Sequence, residues 1–225
     1  MQITYLGHSA FKLKGKKGSV VMDPYGASVG FTAPKQSADI VTVSHQHPDH
    51  NLVNDVSGTA RRARPFLVTE QGEYEVGGIS VFGVGTYHDE NQGADRGSNL
   101  VFTVLLDDIR VCHLGDLGHE LTTAQLEAIG SVDILLCPVG GQFTIDPQTA
   151  VKVIRSLEPS IVIPMHFKTD RHDQKTFGQM ATVTDFLKAY GVDVAPMPKL
   201  EIESTHLPEE TEVVVLSETL VNTTG

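Results

Sequence analysis

Three histidines and an aspartate crowd the stretch His45-Gln46-His47-Pro48-Asp49-His50, directly after the apolar run 40–43. Imidazole nitrogen and carboxylate oxygen are the donors that borderline divalent metals accept. Residues 40–43 are apolar or β-branched and read as a buried strand. Pro48 lacks a backbone donor and fixes its own φ, so the strand cannot run on through the histidines. The donors therefore leave a strand end on a loop, where several can aim at one centre. A polar surface loop holding histidines by chance would need none of these residue types in this order. The stretch reads as a metal site.

The spacing His45-x-His47-x-Asp49-His50 resembles the signature of the metallo-β-lactamase superfamily. That resemblance implies that His45 and His47 bind one metal and the Asp49-His50 pair binds a second. It also implies three later ligands, each delivered by a strand end. His88 follows the strand expected at 78–84 and is the third ligand of the first metal. Gly115-Asp116-Leu117-Gly118 closes the strand at 109–114, with Asp116 as the bridging carboxylate. His166 closes the strand at 160–165. The implied fold is the α+β four-layer αββα sandwich, as one domain over residues 1–225. The resemblance runs over essentially the whole chain. More narrowly, Gly7-His8-Ser9, Asp23-Pro24 and Pro164-Met165-His166 are similar to a small branch that includes ascorbate-lactonase-like proteins. None of these motifs specifies a substrate.

Three further residues stand near this set with two readings each. His8 is an ordinary loop histidine or part of the active-site rim. Asp23 is a turn aspartate before proline, or a carboxylate that orients a ligand histidine through its second nitrogen; the resemblance favours the latter. Arg96, in the polar and mobile-looking loop 90–98, meets an anionic substrate or faces water. His113 and His119 are read as structural or supporting. His172, inside the charged stretch 169–175, is read as solvent-facing.

The elements that must carry these residues follow from pattern. Strands are expected at 3–6, 11–13, 19–22, 65–68, 99–106, 133–139 and 212–216 as well, from apolar runs bounded by turn residues. Residues 51–64 read as helical at first and then as loop. Thr122 and Gln125 form a capping box with Gly130 as the stop. Asp146-Pro147 opens a helix that shows Ala150, Ile154 and Leu157 on one face. A final helix over about 175–190 places Met180, Val183, Leu187 and Tyr190 together, with Gly191 after it. The chain end is acidic and reads as solvated.

Composition bounds the function. The 225 residues are 40% hydrophobic and 20% charged, which is globular. A formal charge of −11 argues against a nucleic-acid surface, which needs a basic patch. Arg61, Arg62 and Arg64 are read as a solvated face. No long apolar span and no signal-peptide pattern is found. Cys112 and Cys137 lie in apolar runs as buried thiols do, so a reducing, cytoplasmic setting is expected.

The ligand set implies a hydrolase with two divalent ions, zinc or manganese, that uses a shared hydroxide on a small ester, lactone or phosphodiester. Asp49 and Asp116 are its catalytic carboxylates. A small-molecule substrate is the expected partner, without membrane or nucleic acid, and a homo-oligomer stays open. Departures from other branches narrow the field. β-Lactamases of this fold commonly carry Cys where Asp116 stands and are exported. Diiron flavoproteins carry Glu where His47 stands. RNA-cleaving members insert a domain between the bridging aspartate and the last histidine, which here are 50 positions apart. A metal-binding protein without catalysis and a diiron redox protein remain as alternatives.

Overall fold

The computed structural model describes residues 1–219. Its first half supplies strands β1 (Gln2–Gly7), β2 (Ala10–Lys14), β3 (Ser19–Met22), β4 (Gln36–Ser37), β5 (Ile40–Thr42), β6 (Val56–Ser57) and β7 (Phe66–Val68). The second half adds β8 (Gly72–Val76), β9 (Ile79–Tyr87), β10 (Ser98–Leu106), β11 (Ile109–His113), β12 (Ile134–Pro138), β13 (Ile161–Met165), β14 (Leu200–Glu201) and β15 (Glu212–Val213). Helices α1 (Thr123–Ile129), α2 (Pro147–Leu157), α3 (Gln174–Phe177) and α4 (Val183–Tyr190) all lie in the second half.

Two mixed sheets form, in the orders β14-β1-β2-β3-β5-β7 and β15-β13-β12-β11-β10-β9-β8, beside a small β4-β6 ribbon. Period-two alternation divides the side chains of the first sheet. Ile3, Tyr5, Phe11, Leu13, Val20, Met22 and Ile40 join one core with Phe102, Val104 and Val111 of the second sheet. Leu6, Ala10, Val21 and Val41 face the other way and join a second cluster with Tyr25, Val29, Phe177 and Met180. Strands β12 and β13 of the second sheet are buried at every position because α2 and α4 cover its far side, with Ala150, Ile154, Leu157, Phe186 and Leu187 in the shared core, while β8 at the sheet edge stays largely exposed. The expected sandwich is present with unequal outer layers. α-Helices cover the second sheet, while the far face of the first is covered mostly by the chain around residues 25–38, whose helical part is the single 3-10 turn Ala27–Val29.

Local chemistry explains the helix boundaries. Thr122 and Gln125 make the reciprocal capping box of α1. Asp146 caps α2 by accepting from the Thr149 N–H, with Pro147 at its first position. Two helical expectations are corrected. Residues 51–64 hold only the 3-10 turn Val53–Asp55 and then β6, as suits a segment of Asn, Val, Asp, Ser and Gly. The helix expected over 175–190 is two helices, because Thr182 starts a new capping box with Asp185. The last strand is paired only at Glu212–Val213, with Leu216 in an isolated bridge to Met197. Glu218 turns inward to an ion pair with Arg171 at 2.8 Å, contrary to the solvated end expected; residues 220–225 lie outside the described residues. Among the described residues no helix is long and apolar enough to cross a membrane.

In both sheets, parallel strands end on the same side. β3, β5 and β7 are parallel, as are β11, β12 and β13. Loops leaving those carboxyl ends are where α/β folds place their ligands.

Candidate metal centre

β5 runs out at Thr42, and the loop after it carries His45, His47, Asp49 and His50 to the meeting edge of the two sheets. Asp23 follows β3, His88 follows β9, Asp116 follows β11 and His166 follows β13, while His8 lies in the turn between β1 and β2. The backbone of His8 joins the sheets: its carbonyl accepts from the His166 N–H at 2.8 Å and from the Tyr5 hydroxyl at 2.7 Å. His8 (φ 55°), Asp23 (φ 45°) and His166 (φ 50°) all take the left-handed backbone region. That conformation costs a non-glycine residue roughly 1–2 kcal/mol and gathers at functional sites.

Asp23 organises the first loop. Its carboxylate accepts from the Ser44 N–H at 2.8 Å, from the Ser44 hydroxyl and from His50 Nδ1 at 2.9 Å. The Ser44 oxygen in turn accepts from His45 Nδ1 at 2.9 Å. These bonds keep a hydrogen on Nδ1 of both imidazoles, so each ring, when neutral, turns its lone pair on Nε2 to the centre. Asn99 organises the Asp116 turn. It accepts from the Asp116 N–H at 2.9 Å and donates to Leu114 O at 2.9 Å and Thr86 Oγ1 at 2.8 Å. Gly115 (φ 58°) lets this turn press on Asn99 and Ser44, where a Cβ would collide with both.

The nitrogens converge on one oxygen. Asp116 Oδ2 lies 3.2 Å from His50 Nε2, 3.3 Å from His88 Nε2, 3.3 Å from His166 Nε2 and 3.8 Å from His45 Nε2. Asp116 Oδ1, His45 Nε2, His50 Nε2 and both ring nitrogens of His166 are buried with no hydrogen-bond partner. Buried polar atoms are rarely left so. Lone pairs facing a carboxylate repel it unless positive charge stands between them, so this donor set fits divalent cations. The donor atoms of His45, His47 and His88 lie within 4.8 Å of one another, as do those of His8, Asp49, His50 and His166.

Electrostatics agree. Burial, then the neighbouring His50, lowers His45 to about 3, and burial, then His166, lowers His8 to about 3. Both are neutral imidazoles. Burial also opposes a charge on His50, yet Asp116 and then Asp23 override it and raise His50 well above its ordinary value. Asp116 is pushed up by burial but held well below the carboxylate range by His166 and His50. The centre is built to hold positive charge.

A cavity of about 300 Å³ opens onto this cluster, lined by His47, Asp49, His88 and Asp116 together with Asp95, Arg96, Phe143, Thr176 and Phe177. Arg96 donates to Gln142 O at 3.2 Å and lies 5.7 Å over the Phe143 ring. Its loop is not loose. The Asp89 carboxylate accepts from the backbone N–H groups of Asn91, Gly93, Asp95 and Arg96 at 2.7–3.0 Å and folds the segment around itself.

Comparison with known proteins places the chain. The beta-lactamase superfamily domain family matches residues 2–166. The chain belongs to the metallo-β-lactamase superfamily. It is similar to a metallo-beta-lactamase superfamily protein from Thermotoga maritima of known structure, with 38% identity, TM-score 0.77, and coverage of 97% of this chain and 99% of that one. It is 31% identical to a UPF0173 metal-dependent hydrolase of Korarchaeum cryptofilum over 191 residues, covering 75% of this chain and 84% of that protein. A UPF0173 metal-dependent hydrolase of Thermococcus onnurineus is 28% identical over 197 residues, covering 75% of this chain and 85% of that protein.

Every site residue expected from sequence falls in this part of the superfamily fold. His45, His50, His88, Asp116 and His166 form the buried cluster, His47 and Asp49 its more open side, His8 and Asp23 its support, and Arg96 the cavity rim. His119 stays outside, its ring spent on the Tyr87 N–H and Glu120 O, and His113 is spent on the Gly115 N–H and Ser9 O. His172 corrects its expectation. It is only 3% exposed and stands 3.3 Å from His8 Nδ1. Ser44 and Asn99 were not singled out from sequence; only Ser44, adjoining the histidine motif, carried a local signal.

Proposed function

We propose that this metal-dependent hydrolase works with two divalent ions, zinc or manganese, on a small ester, lactone or phosphodiester. One observation carries the two-ion reading: four imidazole Nε2 atoms surround the single oxygen Oδ2 of Asp116 within 3.8 Å. His45, His47 and His88 would hold one ion, Asp49, His50 and His166 the other, and Asp116 would stand between. Bound divalent ions supply an activated water at neutral pH and positive charge for a developing oxyanion.

The chain's own side chains do the rest. Asp49 faces the cavity with its side chain 22% exposed and orients the attacking water. Asp116 fixes the spacing of the two donor sets. Phe143 and Phe177, with ring centroids 5.7 Å apart, form an apolar wall that excludes bulk water from the substrate. Arg96 at the rim offers a cation to an anionic group. A cavity of about 300 Å³ suits a small molecule.

The test is turnover of nitrophenyl esters, lactones and a bis-aryl phosphodiester by protein reconstituted with Zn²⁺ or Mn²⁺. At least one class should be hydrolysed, with activity lost on chelation and restored by metal. Fully loaded protein that turns over none of the panel would contradict the catalytic reading and favour a metal-binding role.

A further inference from the structure

A chain of hydrogen bonds runs from Thr169 to Asp49, and its direction is fixed at its far end. The Thr169 backbone N–H lies 3.1 Å from His172 Nδ1, and the Thr169 hydroxyl, which can donate to the same nitrogen, lies 3.0 Å from it. A backbone N–H can only donate, so Nδ1 accepts and the hydrogen of the neutral ring sits on Nε2. His172 Nε2 lies 3.3 Å from His8 Nδ1. That nitrogen must accept, which leaves the His8 hydrogen on Nε2, 3.2 Å from Asp49 Oδ2. Neither ring is free to turn. His172 packs edge-on to Phe31 at 5.1 Å and against Phe177 at 5.4 Å, and Phe177 also meets the His8 ring at 5.4 Å.

We propose that His8 and His172 are positioning residues, in which His172 sets the tautomer of His8 and the His8 Nε2–H group holds Asp49 for the metal centre without itself ligating an ion. The inference rests on the reading of Asp49 as a ligand. Proximity alone would suggest otherwise, since the His8 donor lies within 4.8 Å of those of Asp49, His50 and His166. Ligation would need a lone pair on His8 Nε2 and therefore a hydrogen on Nδ1. That hydrogen would point straight at the one on His172 Nε2. A carboxylate that ligates a metal is itself normally hydrogen-bonded from behind, and loss of such a partner costs about 10–100-fold in metal affinity.

The decisive experiment is long-range ¹H–¹⁵N NMR of the histidine-labelled, zinc-loaded full chain, combined with zinc titration of variants. His8 and His172 should both carry hydrogen on Nε2 and a bare Nδ1. At saturating zinc His8→Ala should still hold as many ions as wild type, while its weaker site loses about 10–100-fold in affinity. His8→Gln, which keeps a donor near the same place, should recover most of that loss. His172→Ala should shift His8 toward the Nδ1–H tautomer. A bare Nε2 on His8 in the loaded protein, or loss of a whole ion from His8→Ala at saturation, would overturn the proposal; the first readout needs no variant to fold. Failure of the two-ion reading is separate, since it shows as fewer than two ions in wild type while His8 still carries hydrogen on Nε2.

Discussion

Asp23 accepts a hydrogen bond from His50 Nδ1 at 2.9 Å, and that bond decides which nitrogen of His50 faces Asp116. The ring has one hydrogen when neutral. Asp23 takes it, and Nε2 is left bare toward the centre. Asp23→Ala should therefore weaken binding of the ion held by His50 by about 10–100-fold while the fold persists. Asp23→Asn keeps an acceptor for His50 and should lose less. Competition with a chromophoric chelator measures both, with circular dichroism as the check on folding. Unchanged affinity in Asp23→Ala would mean that Asp23 is only a turn residue.

Asn99 should matter for stability before it matters for chemistry. Its side chain, 0% exposed, satisfies the Asp116 N–H and Leu114 O at once. Asn99→Ala leaves two buried backbone groups without partners, at about 1–3 kcal/mol each. A fall of about 2–6 kcal/mol in urea unfolding is expected. A change below about 0.5 kcal/mol, the range of ordinary surface substitutions, would show that water replaces the amide freely.

What the sequence made legible, and what it hid, follows from the range of the interactions. His45, His47, Asp49 and His50 share one loop, so their spacing alone announces a metal site. Asp116 and His166 were readable because the family resemblance calls for ligands at later strand ends and an apolar run ends just before each of them. His172 was not, since its partner His8 is 164 residues away and no local pattern connects a charged loop to a buried ring. The helix expected over 175–190 failed for a related reason. Met180 and Leu187 keep helical spacing but pack into different clusters, Met180 with Val21 and Tyr25, Leu187 with Ile154 and Val162. One apolar stripe serves two cores, and the chain breaks between them.

The two thiols should be inert. Cys112 and Cys137 are both fully buried, and burial pushes Cys112 up to about 12 and Cys137 higher still. A raised thiol pKa leaves almost no thiolate at neutral pH, and the thiolate is the reactive form. Labelling by a disulfide reagent should be slow at pH 8 without denaturant and complete in urea. Rapid reaction of the folded protein would contradict this burial.

Asp39 gives a pH signature away from the metal centre. Burial pushes its carboxyl up, but hydrogen bonds from Thr59 and Ser19, with Arg61 nearby, prevail and hold it below its ordinary value. A depressed folded pKa adds stability that is complete above the unfolded pKa of about 4 and is lost as pH falls through the folded pKa. Asp39→Asn should cost about 1–2 kcal/mol at pH 7. The gap from wild type should close as acid protonates the wild-type carboxyl. A gap that stayed constant between pH 7 and acid would remove the charge from the explanation.

The two-ion centre itself is tested most directly by counting metal. Protein reconstituted with Zn²⁺ or Mn²⁺ and freed of excess ion should hold two ions per chain by elemental analysis. Asp116→Ala, which removes the carboxylate between the two donor sets, should hold at most one and keep the native circular dichroism. At most one ion in the wild type, or two retained in Asp116→Ala with undiminished turnover, would contradict the account.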